Sequence, residues 1–355
     1  MSRRSEDHAT PLRSEGKRIT MFDVRELAGK RIFVTGATGF IGSHLLPRLS
    51  DVGAQVYAIS REERQDIRHS IQWYQGNLTD LPTVKTLLRA IKPHVVYHLA
   101  GHVSGARGTE AIVPTFQCNL TSTVNVLTAA QAVGCERFIL PGSLEEPSAQ
   151  GSEGIPSSPY AVTKWASSAY GRMFHALYQF PIVMLRVFMV YGPAQRDLHK
   201  LIPYVISSLL KGQVPQLTSG QRAIDWIYVK DVVDALLASA LAKNIEGKTI
   251  DIGSGKLMTV QAVVQIVARS MGYDGPPAFG AKPDRPLERV DVADGRAAEA
   301  LLGWRPKVSL EEGLKRTILW YAQNVASCVS DHALQCDRVS FRDPLHSQLD
   351  TLRQG

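Results

Sequence analysis

Residues 30–42 read KRIFVTGATGFIG. A short apolar run, Arg31 to Thr35, leads into three glycines, Gly36, Gly39 and Gly42. The following stretch, FIGSHLLPRLSDVG, has helical periodicity and stops at Gly53. Strand, tight glycine turn and helix therefore follow one another without a gap. Glycines suit this turn because the chain must bend sharply and let a phosphate approach the backbone. The helix start adds free N–H groups and a positive dipole end. A lone glycine triplet often only makes a turn. Its place after the first strand favours a dinucleotide loop, with Gly36, Thr38, Gly39, Phe40, Ile41 and Gly42 as cofactor contacts.

The pattern continues outward from this loop. AQVYAIS, IQWYQG, HVVYHLAG, RFILPG and PIVMLRVFMV read as strands, the last over residues 181–190. LPTVKTLLRAI, the stretch Pro114 to Val133, and SPYAVTKWASSAYGRMFHALYQF read as helices between them. Such alternation predicts an α/β fold, a Rossmann-type doubly wound parallel sheet with helices on both faces. The expected division is a disordered extension over 1–28 and a nucleotide-binding domain over 29–190 to which later segments return. A smaller, mainly substrate-binding domain over 191–325 and a tail over 326–355 follow.

Composition bounds the rest. With 44% hydrophobic and 21% charged residues, the 355-residue chain has the balance of a soluble globular protein. No apolar run approaches the roughly 18 residues that span a bilayer, and the polar first residues lack the apolar middle of a secretory signal. Cys118, Cys135, Cys328 and Cys336 form no C-x-x-C pair, so free thiols and a cytoplasmic location are expected, with no metal site. The net charge of +7 is spread along the chain and accompanies no nucleic-acid motif; a small anionic substrate suits it.

Two further clusters carry chemistry. At the end of the second strand stand Ser60 and Arg61, where an acid would bind adenosine ribose hydroxyls. An arginine pairs instead with a 2′-phosphate, which favours NADP over NAD. The bland alternative is that Arg61 and Arg64 are solvated charges beside Glu62 and Glu63. Asn77 and Leu78 follow the third strand and are expected at adenine, while Ala100 and Gly101 end the fourth and leave room for the cofactor. Lys164 lies one helical turn after Tyr160, so both project from one face. The phenol's ordinary pKa is about 10. A neighbouring ammonium and a positively charged nicotinamide ring are expected to favour the phenolate, which then exchanges a proton with a carbinol oxygen. Ser143, at a strand end, offers that oxygen a second hydrogen bond.

The set TGATGFIG, YHLAG, GSLEE, YAVTK and RVFMVYGP resembles the motifs of the extended short-chain dehydrogenase/reductase family, over about Gly29 to Trp320. The resemblance implies a triad of Ser143, Tyr160 and Lys164, with Lys164 also on the nicotinamide ribose, and a nucleotide-sugar substrate. Similar 4,6-dehydratases carry TDE or TSE where this chain has Ser143, Leu144 and Glu145. Glu145 stands where such an enzyme keeps its C5 base, but Leu144 cannot protonate a leaving hydroxyl. GSLEE is closest to the GSSEEYG run of 4-ketosugar reductases, with Pro147 and Ser148 replacing the last two residues. On the substrate side the resemblance implies roles for Met189, Arg222 and Arg285, Arg285 at the diphosphate.

The expected activity is NADPH-dependent reduction of the C4 ketone of a nucleotide-bound 4-keto-6-deoxyhexose. The alternatives are a 4-epimerase or 4,6-dehydratase that retains NAD, and a non-catalytic dinucleotide sensor or RNA-associated scaffold. Relatives often form homodimers through two helices per subunit; the helices near Thr121–Val133 and Trp165–Leu177 are candidates for this, with ordinary core as the alternative for their apolar faces.

Overall fold

The structure is a computed structural model that describes residues 22–64, 70–147 and 154–336, with side chains followed to residue 324. In chain order the main elements are β1 (Arg31–Thr35), α1 (Phe40–Asp51), β2 (Gln55–Ser60), β3 (Gln72–Gln75), α2 (Leu81–Ile91) and β4 (Val95–His98). Then come α3 (Ile112–Thr115), a π-helical turn (Phe116–Thr121), α4 (Ser122–Val133), β5 (Arg137–Ser143), α5 (Pro159–Tyr178) and β6 (Ile182–Val187). β7 (Met189–Tyr191), α6 (Leu201–Leu210), β8 (Ala223–Tyr228), α7 (Val229–Leu241), β9 (Thr249–Ile252) and β10 (Leu257–Thr259) follow. The last helices are α8 (Val260–Ser270), α9 (Gly295–Leu302) and α10 (Leu310–Cys336).

Seven strands form one parallel sheet in the order β3-β2-β1-β4-β5-β6-β9. This is the doubly wound arrangement, and its order reverses between β1 and β4. Both faces are covered, as the unbroken apolar strands require. In β1, Ile32 and Val34 point into one core with Leu45 and Leu49 of α1 and Leu236 of α7. Phe33, between them, points into the opposite core with Leu88 of α2 and Leu127 of α4. The alternation follows from side chains leaving opposite faces of a strand.

A second sheet, β10-β8-β7, carries its own core: Tyr191, Trp226 and Tyr228 pack with Ile206 of α6 and Val264 of α8. The expected single strand over 181–190 therefore divides. Phe188 donates its N–H to the Ile252 carbonyl of the first sheet, and Met189 pairs with Trp226 of the second. The chain changes sheets there because each half finds different backbone partners. The expected unbroken helix from Pro114 to Val133 also departs from plan. Its π-turn coincides with Ser122 and Thr123 hydroxyls that bond back to the Asn119 carbonyl, a competition that disturbs helical pairing.

The disordered extension expected over 1–28 is too long. Residues Val24–Leu27 form a 3-10 turn, begun by Asp23, whose side chain accepts from the Arg25 N–H, and Leu27 is fully buried in the main core. Residues 1–21 of that extension, and 337–355 of the expected tail, lie outside the described residues. The helix α10 continues through Cys336. No described helix is long and apolar enough to cross a membrane. Cys118 and Cys135 carry free thiols.

Asp225 of β8 ties the two sheets together. Its fully buried carboxylate accepts from Ser254 N (2.6 Å), Ser254 Oγ (2.7 Å), Gly255 N (2.9 Å) and Ala293 N (3.1 Å). Removing it leaves one buried and two part-buried amides without an acceptor. Asp225→Ala is expected to cost about 3 kcal/mol of stability, read by urea unfolding.

Candidate active site

The glycine turn is where β1 meets the end of β4. Gly36 has φ +65°, and a Cβ there would lie 2.5 Å from the Ala100 nitrogen. A Cβ on Gly42 would lie 2.3 Å from the Gly36 carbonyl oxygen, so the helix sits directly on the turn. Only glycine permits either approach. Gly39 caps α1 without a side-chain bond, and the first intrahelical N–H donor is that of Ser43, to Gly39 O. The N–H groups ahead of it at the helix start remain for an anion, so the loop fits the pyrophosphate of a dinucleotide. Thr38, Phe40 and Ile41 lie in this same turn.

The floor beneath the loop is a buried hydrogen-bond relay. Ala100 N donates to Thr35 Oγ1 (3.1 Å), which meets His98 Nδ1 at 2.9 Å; His98 Nε2 meets Thr123 Oγ1 at 3.0 Å. Thr123 gives its own proton to the Asn119 carbonyl, so His98 donates from Nε2 and accepts at Nδ1. Burial, helped by nearby Lys164, depresses the His98 pKa to about 3 and keeps the ring neutral.

Around the cleft the other expected contacts fall where β2, β3 and β4 end. Ser60 Oγ accepts from Glu62 N. The Arg61 side chain is exposed and has no ion-pair partner among the described residues, whereas Arg64 pairs with Glu62. Asn77 closes its own turn by accepting from Thr79 N, and the Leu78 carbonyl accepts from Asn125. Gly101 is narrow for a reason: a Cβ there would stand 3.3 Å from Asn119 Oδ1 and 4.0 Å from Lys164 Nζ.

Asn119 was not singled out in the sequence. It is buried in the π-turn, accepts from His102 N (2.6 Å) and donates to His102 O and Thr163 Oγ1. It thus pins the loop after β4 to the helix that bears Tyr160. π-turns gather at functional sites, but nothing in the local sequence marks one here.

Ser143, Tyr160 and Lys164 do come together. The Ser143 hydroxyl faces the Tyr160 hydroxyl as a hydrogen-bond partner. Lys164 Nζ donates to the Pro141 carbonyl (2.8 Å), which anchors α5 against β5. The expected acidification of the phenol by Lys164 is not what the protein alone provides. The Tyr160 pKa is raised to about 12: burial raises it most, Ser143 opposes, and Glu146 and Glu145 add to the rise. Burial likewise lowers the Lys164 pKa, against Glu146. Two half-buried groups that each disfavour their charged form leave the proton on the phenol.

The acids and arginines are arranged differently from a solvated loop. Glu145 accepts from Ser157 Oγ (2.9 Å) and pairs with Arg222 (2.9 Å), which also pairs with Glu288 (3.2 Å) and donates to the Arg289 carbonyl. Arg222 is thus neither a surface bridge nor a free phosphate ligand; its fork is spent on carboxylates and a carbonyl. Glu146 is buried, only 5% exposed. Leu144 packs with Phe188, Ala293 and Met189 in a small apolar cluster, so Met189 contacts carbon there. Arg285 is exposed, with its guanidinium against Gly105 and its charge felt by Lys200, which donates to the Val103 carbonyl.

Residues 32–253 match the profile of the NAD dependent epimerase/dehydratase family, more than half of the chain. The chain belongs to that family. Its members similar to this chain include dTDP-D-glucose 4,6-dehydratase of Mus musculus, 29% identical over 83% of this chain and 89% of that one. UDP-glucuronate 4-epimerase of Thermodesulfobacterium geofontis is 26% identical over 82% and 96%. Among solved structures, UDP-glucose 4-epimerase of Thermotoga maritima with UDP-glucose superposes with a TM-score of 0.75, at 26% identity, over 83% of this chain and 99% of that one. As an extended short-chain dehydrogenase/reductase, the protein is an enzyme, which removes the scaffold alternative.

Since burial holds Tyr160 neutral, a cationic nicotinamide ring in the cleft should lower its pKa. In an ultraviolet titration of wild type minus Tyr160→Phe, the tyrosinate of Tyr160 is expected near pH 12 without cofactor. With NAD⁺ added it is expected at distinctly lower pH. An unmoved titration would remove the phenol from the reacting face.

Proposed function

We propose that the protein oxidises and re-reduces C4 of a nucleotide-diphosphate sugar, as a 4-epimerase that retains NAD. The observation that carries this reading is the Glu145–Arg222 pair beside a single acid–base phenol. A 4,6-dehydratase needs free carboxyl groups for C5 and C6. Here the one candidate is held by Arg222 and Ser157, and the neighbouring position is a leucine turned into an apolar cluster. Glu145 does not stand against a 4-epimerase, because Arg222 and Ser157 hold its carboxylate. Relatives named as 4-epimerases support the same chemistry.

When bound, a nicotinamide dinucleotide supplies the acceptor and donor of hydride. The chain's own residues do the rest. Tyr160 takes the proton of the C4 hydroxyl as it becomes a carbonyl and returns it on reduction. Ser143 donates to that oxygen, and Lys164 holds the ribose and the helix. Inversion requires the ketone to present its other face between the two steps. The substrate diphosphate lies at Arg285, and residues 191–325 mainly form the substrate side of the cleft.

A second reading keeps one observation in its favour. Arg61 at the end of β2, without an ion-pair partner among the described residues, suits a 2′-phosphate, and a consumed NADPH fits the 4-ketosugar reductase expected from GSLEE. Denaturing the purified protein and identifying the released nucleotide separates the two. Stoichiometric NAD, with interconversion of UDP-sugar 4-epimers followed by NMR, supports the epimerase. An empty cleft, with NADPH oxidation on adding a 4-ketosugar nucleotide, supports the reductase. Under either, Tyr160→Phe is expected to lower kcat by about 10²- to 10⁴-fold.

The subunit pairs with a second copy of itself through α5 and the first turns of α3. Val162, Trp165, Met173 and Leu177 of α5 are exposed at helical spacing, as are Ile112, Val113 and Phe116 beside them. The face expected from Thr121–Val133 is instead ordinary core, with Val126, Leu127 and Ala130 buried. The double change Trp165→Glu, Met173→Glu is expected to convert a dimer to monomer in sedimentation velocity; an unchanged coefficient would place the contact elsewhere.

A further inference from the structure

One buried acid has no part in the scheme above. Glu146 closes the turn that carries Ser143: its N–H donates to the Ser143 carbonyl (3.1 Å), and its Oε1 accepts from Ser143 N (2.7 Å). The carboxylate lies against Gly142, where a Cβ would stand 2.2 Å from Oε1 and 3.3 Å from Ser168 Oγ. The Ser168 hydroxyl makes no hydrogen bond among the described residues and faces this carboxylate. Lys164, Ser168 and Arg172 recur every four residues along α5, so one face of the helix that bears Tyr160 looks at Glu146. Arg186 of β6, itself paired with Asp251, approaches from the sheet.

Burying a carboxylate is costly. A glutamine would supply the same acceptor to Ser143 without a charge. Burial pushes the Glu146 pKa up, while Ser168, the Ser143 N–H, Lys164 and Arg172 pull it down. Its charge in turn raises the pKa of Tyr160, as Glu145 also does, and that of Lys164.

We propose that Glu146 is a positioning residue of the active site, whose buried carboxylate aims the Ser143 hydroxyl at Tyr160 and balances the charge of the Tyr160–Lys164 face. This rests on the reading of Tyr160 as the proton-transfer group. Hydrogen bonding to Ser143 N is the geometric part, and the negative charge behind Lys164 is the electrostatic part. The two parts separate by substitution.

Glu146→Gln keeps the acceptor and removes the charge. Both Tyr160 and Lys164 then titrate lower, so the whole pH profile of kcat is expected to move to lower pH by about one unit, with KM unchanged. The tyrosinate titration of Tyr160, taken as the difference from the matching Tyr160→Phe protein, is expected to move the same way. Glu146→Asp keeps the charge but shortens the reach to Ser143. It is expected to lower kcat by about 10- to 100-fold without moving the profile. If neither substitution moves kcat, profile or titration, Glu146 is structural only and the proposal falls. A profile displaced as far by aspartate as by glutamine overturns the charge assignment. If Tyr160→Phe keeps its turnover, the proton-transfer reading fails instead, and the titration still reports whether Glu146 and Tyr160 are coupled.

Discussion

The structure turns on the approach of one backbone to another at Gly36. Its left-handed residue lets β1 end against the Leu99–Ala100 peptide, with no room for a Cβ. Because β1 and β4 are neighbours only at the point where strand order reverses, that contact opens the crevice in which a dinucleotide lies. Thr35 and His98 hold the same contact from below, through bonds that leave the imidazole neutral. Loop, relay and crevice are thus one constraint expressed three times.

From that crevice the chemistry is arranged by burial. A phenol and an amine, both half-buried, each lean towards the neutral form. The protein alone therefore does not hold a ready base. It holds a phenol whose proton leaves more easily once positive charge enters the cleft, which links proton transfer to cofactor occupancy. Glu145 and Glu146 surround the same phenol but are not equivalent: one is bound by Arg222, just ahead of β8, the other is locked behind Ser143. The Glu145–Arg222–Glu288 chain also joins the Ser143 turn to the loop that bears Arg285.

Much of this was legible in residues 30–42 and their echoes. The glycine turn, six of the seven strands of the first sheet and the return of a later strand to it could be read because strand and helix periods are local properties. The Tyr160–Lys164 spacing was legible for the same reason. The break at Phe188 was not, since an apolar run looks alike whichever sheet takes its hydrogen bonds. Nor was Asn119, whose role depends on a loop seventeen residues away. Leu27, near the polar N-terminus, reads as tail until the core that receives it is assembled.

By itself, then, the sequence determined the order of elements, the dinucleotide turn and the residue types of the triad, because each depends on neighbours a few positions apart. Only the tertiary structure decided which acids are free, which arginine is spent and which way the phenol's proton leans. Those are matters of partner and solvent. Glu145 and Glu146 are adjacent in the chain, yet one meets a guanidinium 77 residues away and the other meets its own turn, and no local pattern distinguishes them.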